Sequence, residues 1–404
     1  MSEPKPTLLP LDLVHQILSW VDTAFFTFLD ALGTADARGP YEPLWQLSLH
    51  HDHSFLWPSL RLDCLYDAPS DLLDAVVPLY MHLELSGVDD PAWLLDNVAL
   101  DAKIKWNAPP LSPHDVFGPL EEWYAAWAEL PLTHITVYGD YCNSPGPFVA
   151  VLPRLYALTC LDLTECSFFE CVDAVFAYAA ESRSLISLTL APTLDYNRGF
   201  EDLTPHHLEC LLLWFDHQPV VHLDLDHLKW TTAFSDAPTL ASCVCSAVFN
   251  CPTLNTLHFT SFVAADLGRI QAPLNMEVLD LDGLSASSVS QLATAINGSN
   301  VKTLILSAID IANYNGWLHA LAQSSVICVD FTACSFQNVS WPLGSTTYNI
   351  GESGLEVTQT VRYASCTARG SVALQTFGEH PKAIHLEFIR AQQGVLVQVD
   401  VTLE

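Results

Sequence analysis

Leu158-Thr-Cys-Leu161-Asp-Leu163 is a clear copy of an apolar motif, Leu-x-x-Leu-x-Leu, that recurs along this 404-residue chain. Further copies are Leu185-Ile-Ser-Leu188-Thr-Leu190, Leu254-Asn-Thr-Leu257-His-Phe259 and Val301-Lys-Thr-Leu304-Ile-Leu306. From Val137 to Phe331 the last apolar position recurs at intervals of roughly 20 to 35 residues. Such a period is typical of solenoids, in which each repeat is one supersecondary unit that contacts only its neighbours.

Between these motifs lies a second apolar pattern, with the spacing of a helix. The positions i, i+3, i+4 and i+7 are apolar in five corresponding segments, starting at Val172, Leu208, Leu240, Val289 and Tyr314. Helix starts are predicted at Asp90-Pro91, Ser112-Pro113 and Thr204-Pro205, where a capping side chain precedes a proline. The alternation predicts parallel strands lined on one side by helices. It also predicts that the motif leucines are buried in equivalent positions, namely Leu161, Leu188, Leu223, Leu257, Leu279 and Leu304. A doubly wound α/β sheet is the alternative, and the regular repeat favours the solenoid.

Residues 79–331 resemble a leucine-rich-repeat array of the ribonuclease-inhibitor-like type. Weaker copies at Leu83-Glu-Leu85 and Ile104-Lys-Trp106 extend the array upstream. Two long intervals predict insertions at Asp195–Asp202 and Trp230–Pro238. Cys166 and Cys334 stand where this family often has an asparagine, which fits the variant with cysteine there. The resemblance implies an α/β leucine-rich-repeat solenoid, a parallel strand ladder with outer helices.

The N-terminal segment follows another pattern and resembles an F-box. A Leu-Pro opening leads into a helix with Ile-Leu, a second apolar segment covers Ala24–Leu32, and Trp45 lies in a third. The resemblance implies docking on the adaptor subunit of a cullin-based ubiquitin ligase, through Leu9, Pro10, Leu13, Ile17 and Leu18. No basic cluster precedes Trp45, which departs from the family pattern. The alternative is a helical cap over the first repeat.

The chain divides into three predicted regions. Residues 1–55 form the F-box-like segment or helical cap, residues 56–344 the solenoid, and residues 345–404 a β-rich C-terminal cap. The last region is predicted to be β-rich because Leu355–Tyr363 and Val395–Val401 alternate and are rich in β-branched residues. Leu386-Glu-Phe388 could be one more degenerate repeat.

Charge and composition restrict the partners. The chain has 46 acidic residues against 15 Lys and Arg, a formal net charge of −31, so nucleic acid and anionic membranes would repel it. No apolar run reaches the ~18–20 residues that cross a bilayer. Because the N-terminus is a poor signal peptide, the twelve cysteines are expected to stay reduced in the cytoplasm or nucleus.

An acidic protein-binding face is predicted on the strands. The residue between the last two apolar positions of each motif points away from the core, since side chains alternate along a strand. These positions, with the residues two further on, supply an expected concave, solvent-exposed surface for a basic protein, made of Asp162, Asp224, Asp226, His258, Asp280, Asp282 and Asp330. The alternative is that an acidic chain fills exposed positions with Asp by default.

The search for chemistry predicts no catalytic residue, no metal site and no cofactor. His50-His-Asp-His53 is interpreted as an exposed loop, Cys243 as a core residue of a helix, and His206-His207 as solvated. Three functions remain. A non-enzymatic ubiquitin-ligase substrate receptor is favoured over a stand-alone ribonuclease-inhibitor-like scaffold, and a GTPase-activating protein is third, because none of the nine Arg lies in a distinctive motif.

Overall fold

The computed structural model describes two compact units, Met1–Leu161 and Asp162–Glu404. The described residues are 25–87, 90–110, 118–138, 146–166, 171–192, 201–226, 228–259, 270, 273–311, 317, 320–321, 324–337, 360–364, 367–369, 384–389 and 398–403. Each unit is α/β and contains a run of parallel strands with intervening helices. Among the described residues, no helix is long and apolar enough to span a bilayer.

The first unit contains eight described helices and four complete strands. The strands are β1 Leu60–Arg61, β2 His82–Ser86, β3 Lys103–Asn107 and β4 Leu132–Tyr138, and β5 Cys160–Cys166 starts in this unit. The helices are α1 Phe25–Ala31, α2 Ala35–Arg38, α3 Glu42–Ser48, α4 His53–Leu56, α5 Ser70–Val76, α6 Pro91–Asn97, α7 Leu120–Trp127 and α8 Gly146–Val151.

Strands β1 to β4 pair in parallel, with their apolar residues in register. Leu60 lies opposite Leu83, and Leu83 lies opposite Ile104, so the array starts one strand before the first predicted copy. A β-bulge between Ile104 and Lys105 then shifts the register of β4. The shift places His134 beside Lys105, and Thr136 beside Asn107. A bulge inserts one residue on one strand, so the repeat spacing does not reveal it.

Aromatic residues fill the core next to β3 and α7. Trp106 and Trp127 are fully buried with ring centroids 6.1 Å apart, and Trp123 stacks on Trp127 at 5.9 Å. Tyr124 and Phe148 complete the cluster at a centroid distance of 6.0 Å. Large rings bury much apolar area for little loss of side-chain entropy, so this cluster anchors the α7 repeat.

Helices α1 and α3 coincide with the second and third segments of the F-box-like pattern. They pack on each other through Phe25, Leu29, Leu44 and Leu47, all of which are buried. Trp45 donates its Nε1–H to Asp30 at 2.7 Å, and the Arg38 guanidinium lies 3.7 Å from the ring centre of Trp45. The predicted docking residues Leu9, Pro10, Leu13, Ile17 and Leu18 lie outside the described residues.

The second unit contains the longer run of strands. The strands are β6 Ser187–Pro192, β7 Glu201–Asp202, β8 His222–Leu225, β9 Leu228–Lys229, β10 Thr256–Phe259, β11 Val278–Asp282, β12 Thr303–Ser307, β13 Asp310–Ile311, β14 Cys328–Thr332, β15 Ser335–Gln337, β16 Thr360–Ala364, β17 Thr367–Arg369, β18 Ile384–Ile389 and β19 Gln398–Leu403. The described helices are α9 Val172–Glu181, α10 Pro205–His217, α11 Thr231–Asp236, α12 Pro238–Phe249 and α13 Ala286–Ile296.

The second unit's main sheet runs β6-β8-β10-β11-β12-β14-β16 in parallel, followed by β19 and β18. The predicted core leucines occupy one register position, in the order Leu188, Leu223, Leu257, Leu279 and Leu304. All five, and Leu161 in β5, are fully buried, which confirms the prediction that these residues form the core. Leu386 and Phe388 lie in β18, which pairs antiparallel with β19, so they do not form another parallel repeat.

The two predicted insertions contain regular structure where they are described. Helix α11 occupies most of the Trp230–Pro238 segment, and its Phe234 is buried. Of Asp195–Asp202 only the last two residues are described, and they form β7, which pairs with β9. The long intervals therefore add small elements beside the main sheet.

A left-handed residue follows the strand in several repeats. Gly87 and Ala108 in the first unit, and Gly283, Ala308 and Ala333 in the second, have φ between 49° and 76°. Four of them donate their backbone N–H to a carbonyl of the next strand at 2.7 to 3.0 Å, namely Gly87, Ala108, Gly283 and Ala308. This conformation is strained for any residue with a Cβ, so its recurrence marks a shared corner of the repeat.

The helices of the second unit largely bury the faces that the apolar spacing predicts, with exceptions in α10 and α12. Val172, Val175, Phe176 and Ala179 of α9 are all buried. In α10 the predicted Leu208 and Leu211 are buried, but Trp214 is buried in place of the predicted Leu212 and Phe215, which are half-buried. In α12 the buried face is displaced by one residue from the prediction and is formed by Ala241, Val244, Cys245, Val248 and Phe249. Cys243, interpreted as a core residue, instead lines an open groove of about 670 Å³ between α10 and α12. That interpretation was wrong because both faces of α12 are apolar.

Thr204 caps α10 through a box that includes His207. The backbone N–H of Thr204 donates to Nδ1 of His207 at 2.9 Å, and Nε2 of His207 lies 2.7 Å from Asp173. His207 is buried while His206 is exposed, so the prediction that both are solvated was wrong for His207. The cap engages Nδ1 and the carboxylate of Asp173 lies beside Nε2, which makes burial of the ring tolerable.

We expect Thr204→Ala to lower the free energy of unfolding by about 0.5–2 kcal/mol, because the capping side chain is lost. Urea denaturation followed by circular dichroism measures the change. Glu209→Ala, at an exposed position of the same helix, is the matched control. An equal loss in both variants would show that the cap contributes nothing.

Candidate functional site

The outward side chains of β8, β10, β11, β12 and β14 form a single row across the sheet. Asp224 lies opposite His258, His258 opposite Asp280, Asp280 opposite Ile305, and Ile305 opposite Asp330. We call the acidic face the set Asp224, Asp226, His258, Asp280, Asp282 and Asp330. Because neighbouring strands lie ~4.8 Å apart, successive carboxylates of the row are roughly 10 Å apart, about one Debye length, so the fields of nearest neighbours add.

His258 occupies the centre of the acidic face and bridges two strands. Its Nδ1 lies 3.2 Å from Oδ1 of Asp224, and its Nε2 lies 3.2 Å from Oδ2 of Asp280. The three side chains are 28%, 21% and 16% exposed, respectively. They are half-buried, which corrects the expectation of freely exposed carboxylates. The imidazole covers one carboxylate on each side because the strand register places all three side by side.

The protonation of His258 follows from these contacts. Burial alone would lower the pKa of His258, but the hydrogen bond and charge of Asp224, with the charges of Asp280 and Asp226, raise it to about 9. Burial raises the pKa of Asp280 to about 6, although the charge of His258 opposes this and Asp226, Asp224 and Asp282 reinforce it. At neutral pH an imidazolium therefore lies between two carboxylates, and the three groups together remain negative.

The contacts of His258 limit its chemistry. Both ring nitrogens of His258 are engaged by carboxylates, so neither is available as a general base. Within the described residues, no three His, Cys, Asp or Glu side chains are arranged to hold a metal ion. What the acidic face offers is a negative surface with an ion-paired centre, suited to cationic side chains.

The structure places the other predicted site residues as follows. Asp282 lies in β11 opposite Ser307, two residues beyond Asp280. Asp330 lies opposite Arg362 of β16 in register. Asp226 follows β8 directly and contributes to the field at His258. Asp162 is half-buried in β5 and accepts a hydrogen bond from Thr164.

His222 and Thr189 extend the outward surface beyond the predicted set. Nε2 of His222 lies 3.1 Å from Oγ1 of Thr189. Burial lowers the pKa of His222, against the charges of Asp224 and Asp162. His222 comes directly before Leu223, at an outward position of β8, so strand alternation would have revealed it.

Comparison with models of known protein families gave no match, and no curated protein matches the chain significantly.

Proposed function

We propose that this chain is a non-enzymatic protein-binding scaffold of the leucine-rich-repeat type, whose acidic face binds a basic protein. The observation that carries the proposal is the row of Asp224, His258 and Asp280, continued by Asp330 two strands further on. The repeated strand register and the recurring left-handed corner support the repeat assignment. Cys334 also supports it, because its buried thiol donates to the carbonyl of Leu306 at 3.2 Å, as expected for the cysteine variant.

A basic protein fits this face better than a free cation does. His258 already neutralises part of the negative charge between Asp224 and Asp280. The remaining field is spread over Asp226, Asp282 and Asp330, which belong to three different repeats. Several Lys or Arg side chains presented by one protein surface can match such a distributed charge, which steers association and selects partners.

The more specific proposal is that the chain is the substrate-recognition subunit of a cullin-based ubiquitin ligase, with the basic protein as substrate. The N-terminal Leu-Pro pattern supports it, and so do helices α1 and α3 at the expected second and third positions. A stand-alone ribonuclease-inhibitor-like scaffold and a GTPase-activating protein stay as alternatives. In both, the N-terminal helices would only cap the repeats.

Adaptor binding tests the ligase proposal directly. We expect wild-type protein to capture a purified ligase adaptor and the Ile17→Asp/Leu18→Asp variant not to, while circular dichroism of the variant stays unchanged. Phe28→Asp is a further variant for the same binding assay. It changes an exposed position of α1, a helix that the structure describes. If the wild-type chain did not bind the adaptor, the ligase proposal would fail, and the N-terminal helices would keep only the role of capping the repeats.

The partner's polarity is tested by association kinetics. We expect Asp226→Asn/Asp282→Asn to slow association with a basic peptide several-fold at low salt and to lose most of this difference at high salt, since steering is screened. These two positions avoid the carboxylates that hold His258. Stopped-flow fluorescence measures the rate, and Asp216→Asn/Glu209→Asn, at exposed positions of α10, removes the same charge elsewhere. Equal slowing in both double variants would contradict a localised acidic site.

A further inference from the structure

The outward strand surface of the first unit carries basic side chains, in contrast to the acidic face of the second unit. On β2, β3 and β4 the outward positions include His82, Lys103, Lys105 and His134, which we call the basic face. His82 lies opposite Lys103, and Lys105 lies opposite His134. All four side chains are exposed. In a chain with 46 acidic residues against 15 Lys and Arg, composition alone predicts carboxylates at these positions.

The two lysines of the basic face have no carboxylate partner in the described part of the chain. Glu84 lies opposite Lys105 in register, but its closest basic atom is Nε of Arg61, at 3.9 Å. Neither Lys103 nor Lys105 forms an ion pair within 4.0 Å of any described carboxylate.

The four basic side chains act on one another, which shows that they are clustered. Burial lowers the pKa of His134, and the charges of Lys105, Lys103 and His82 lower it further. Beside them lie Ser86, Asn107 and Thr136, one from each strand, which provide uncharged hydrogen-bonding groups. Positive charge next to a polar strip is suited to carboxylates on an extended segment.

We propose that the basic face of the first unit binds a short acidic segment of a protein, rich in Asp and Glu. The inference concerns a surface separate from the acidic face and does not depend on the basic partner proposed above. A short segment contacts only the local charges, since more distant acidic residues are screened beyond ~8 Å at physiological salt. A nucleic acid or an anionic membrane extends far beyond that distance and meets the repulsion of the whole chain, with its net charge of −31.

The test is binding of a fluorescein-labelled octaglutamate peptide to the full chain at physiological salt, where charges beyond ~8 Å are screened, followed by fluorescence anisotropy. We expect saturable binding that weakens by about fivefold or more in Lys103→Gln/Lys105→Gln, as expected for the loss of two exposed ion pairs. Lys103→Arg/Lys105→Arg should retain binding. Lys229→Gln/Lys302→Gln removes the same charge from the second unit and should leave peptide affinity within twofold of wild type.

Three outcomes would overturn the proposal. The first is no saturable binding of octaglutamate, and the second is an equal loss in the Lys229/Lys302 control. The third is tighter binding of a thymidine octanucleotide through the same lysines, which would indicate a phosphodiester ligand. Circular dichroism checks that each variant is folded. The Asp226→Asn/Asp282→Asn variant should still bind octaglutamate, so failure here is distinguishable from failure of the acidic face.

Discussion

Leu304→Ala should lower the free energy of unfolding by about 2–5 kcal/mol, because the truncation leaves a cavity in the core. Leu304 is fully buried in β12 and lies between Leu279 and Val329 in register. Neither neighbouring strand can close the gap without giving up hydrogen bonds to the next repeat. The shift of the unfolding midpoint in urea, with its slope, gives the change.

The control for this prediction is the next residue. Ile305→Ala removes a side chain of similar size from the outward, half-buried side of the same strand. We expect a clearly smaller loss, since little of the core is affected. If Ile305→Ala were the more damaging change, β12 would face the other way, and the leucines would not form the core.

The second large effect is a dependence of stability on pH that arises from His258. Its pKa is raised from 6.5 to about 9 in the folded chain, so its contribution is fully present below pH 6.5 and is lost as pH rises through 9. The difference corresponds to up to about 3 kcal/mol. The groups that face His258 are Asp224, Asp226 and Asp280, with His222 nearby.

The measurement is chemical denaturation at several pH values between 6 and 10. We expect His258→Gln to be less stable than wild type near pH 6.5 and the difference to shrink toward pH 10. His206→Gln, at an exposed position of α10, should follow the wild-type profile. A constant difference between wild type and His258→Gln across this range would show that the two ion pairs do not stabilise the fold. The pKa of Asp280 is raised to about 6, so below pH 6 the titration of Asp280 also changes the stability. The comparison is therefore made at higher pH.

The periodic parts of the fold could be predicted from the sequence. The core leucines recur with a spacing typical of solenoids, and Leu188, Leu223 and Leu257 lie in register as expected. The outward row was also predictable, because alternation along a strand fixes which side chains share a face. Strand alternation alone therefore predicts that Asp224, His258 and Asp280 are neighbours.

Features that break the period could not be predicted. The bulge between Ile104 and Lys105 brings His134 next to Lys105, and no residue type signals it. The buried face of α12 lies one residue away from the predicted face. The sequence could not distinguish the two, because Cys243 and Cys245 are equally compatible with a core. The burial of His207 depends on Asp173, which lies in a different helix. The sequence around His207 therefore does not indicate that this side chain is buried.

The left-handed corner shows that the end of a strand need not be marked by glycine. Glycine usually occupies such a turn, yet Ala108, Ala308 and Ala333 occupy three of the five positions. A left-handed alanine is strained by roughly 1–2 kcal/mol, while glycine gives the denatured chain more freedom, worth about 0.4–1 kcal/mol. The strain exceeds the entropy term, so replacing alanine with glycine at these corners should raise the free energy of unfolding slightly. A repeat can therefore keep its corner without glycine, at a small cost in stability.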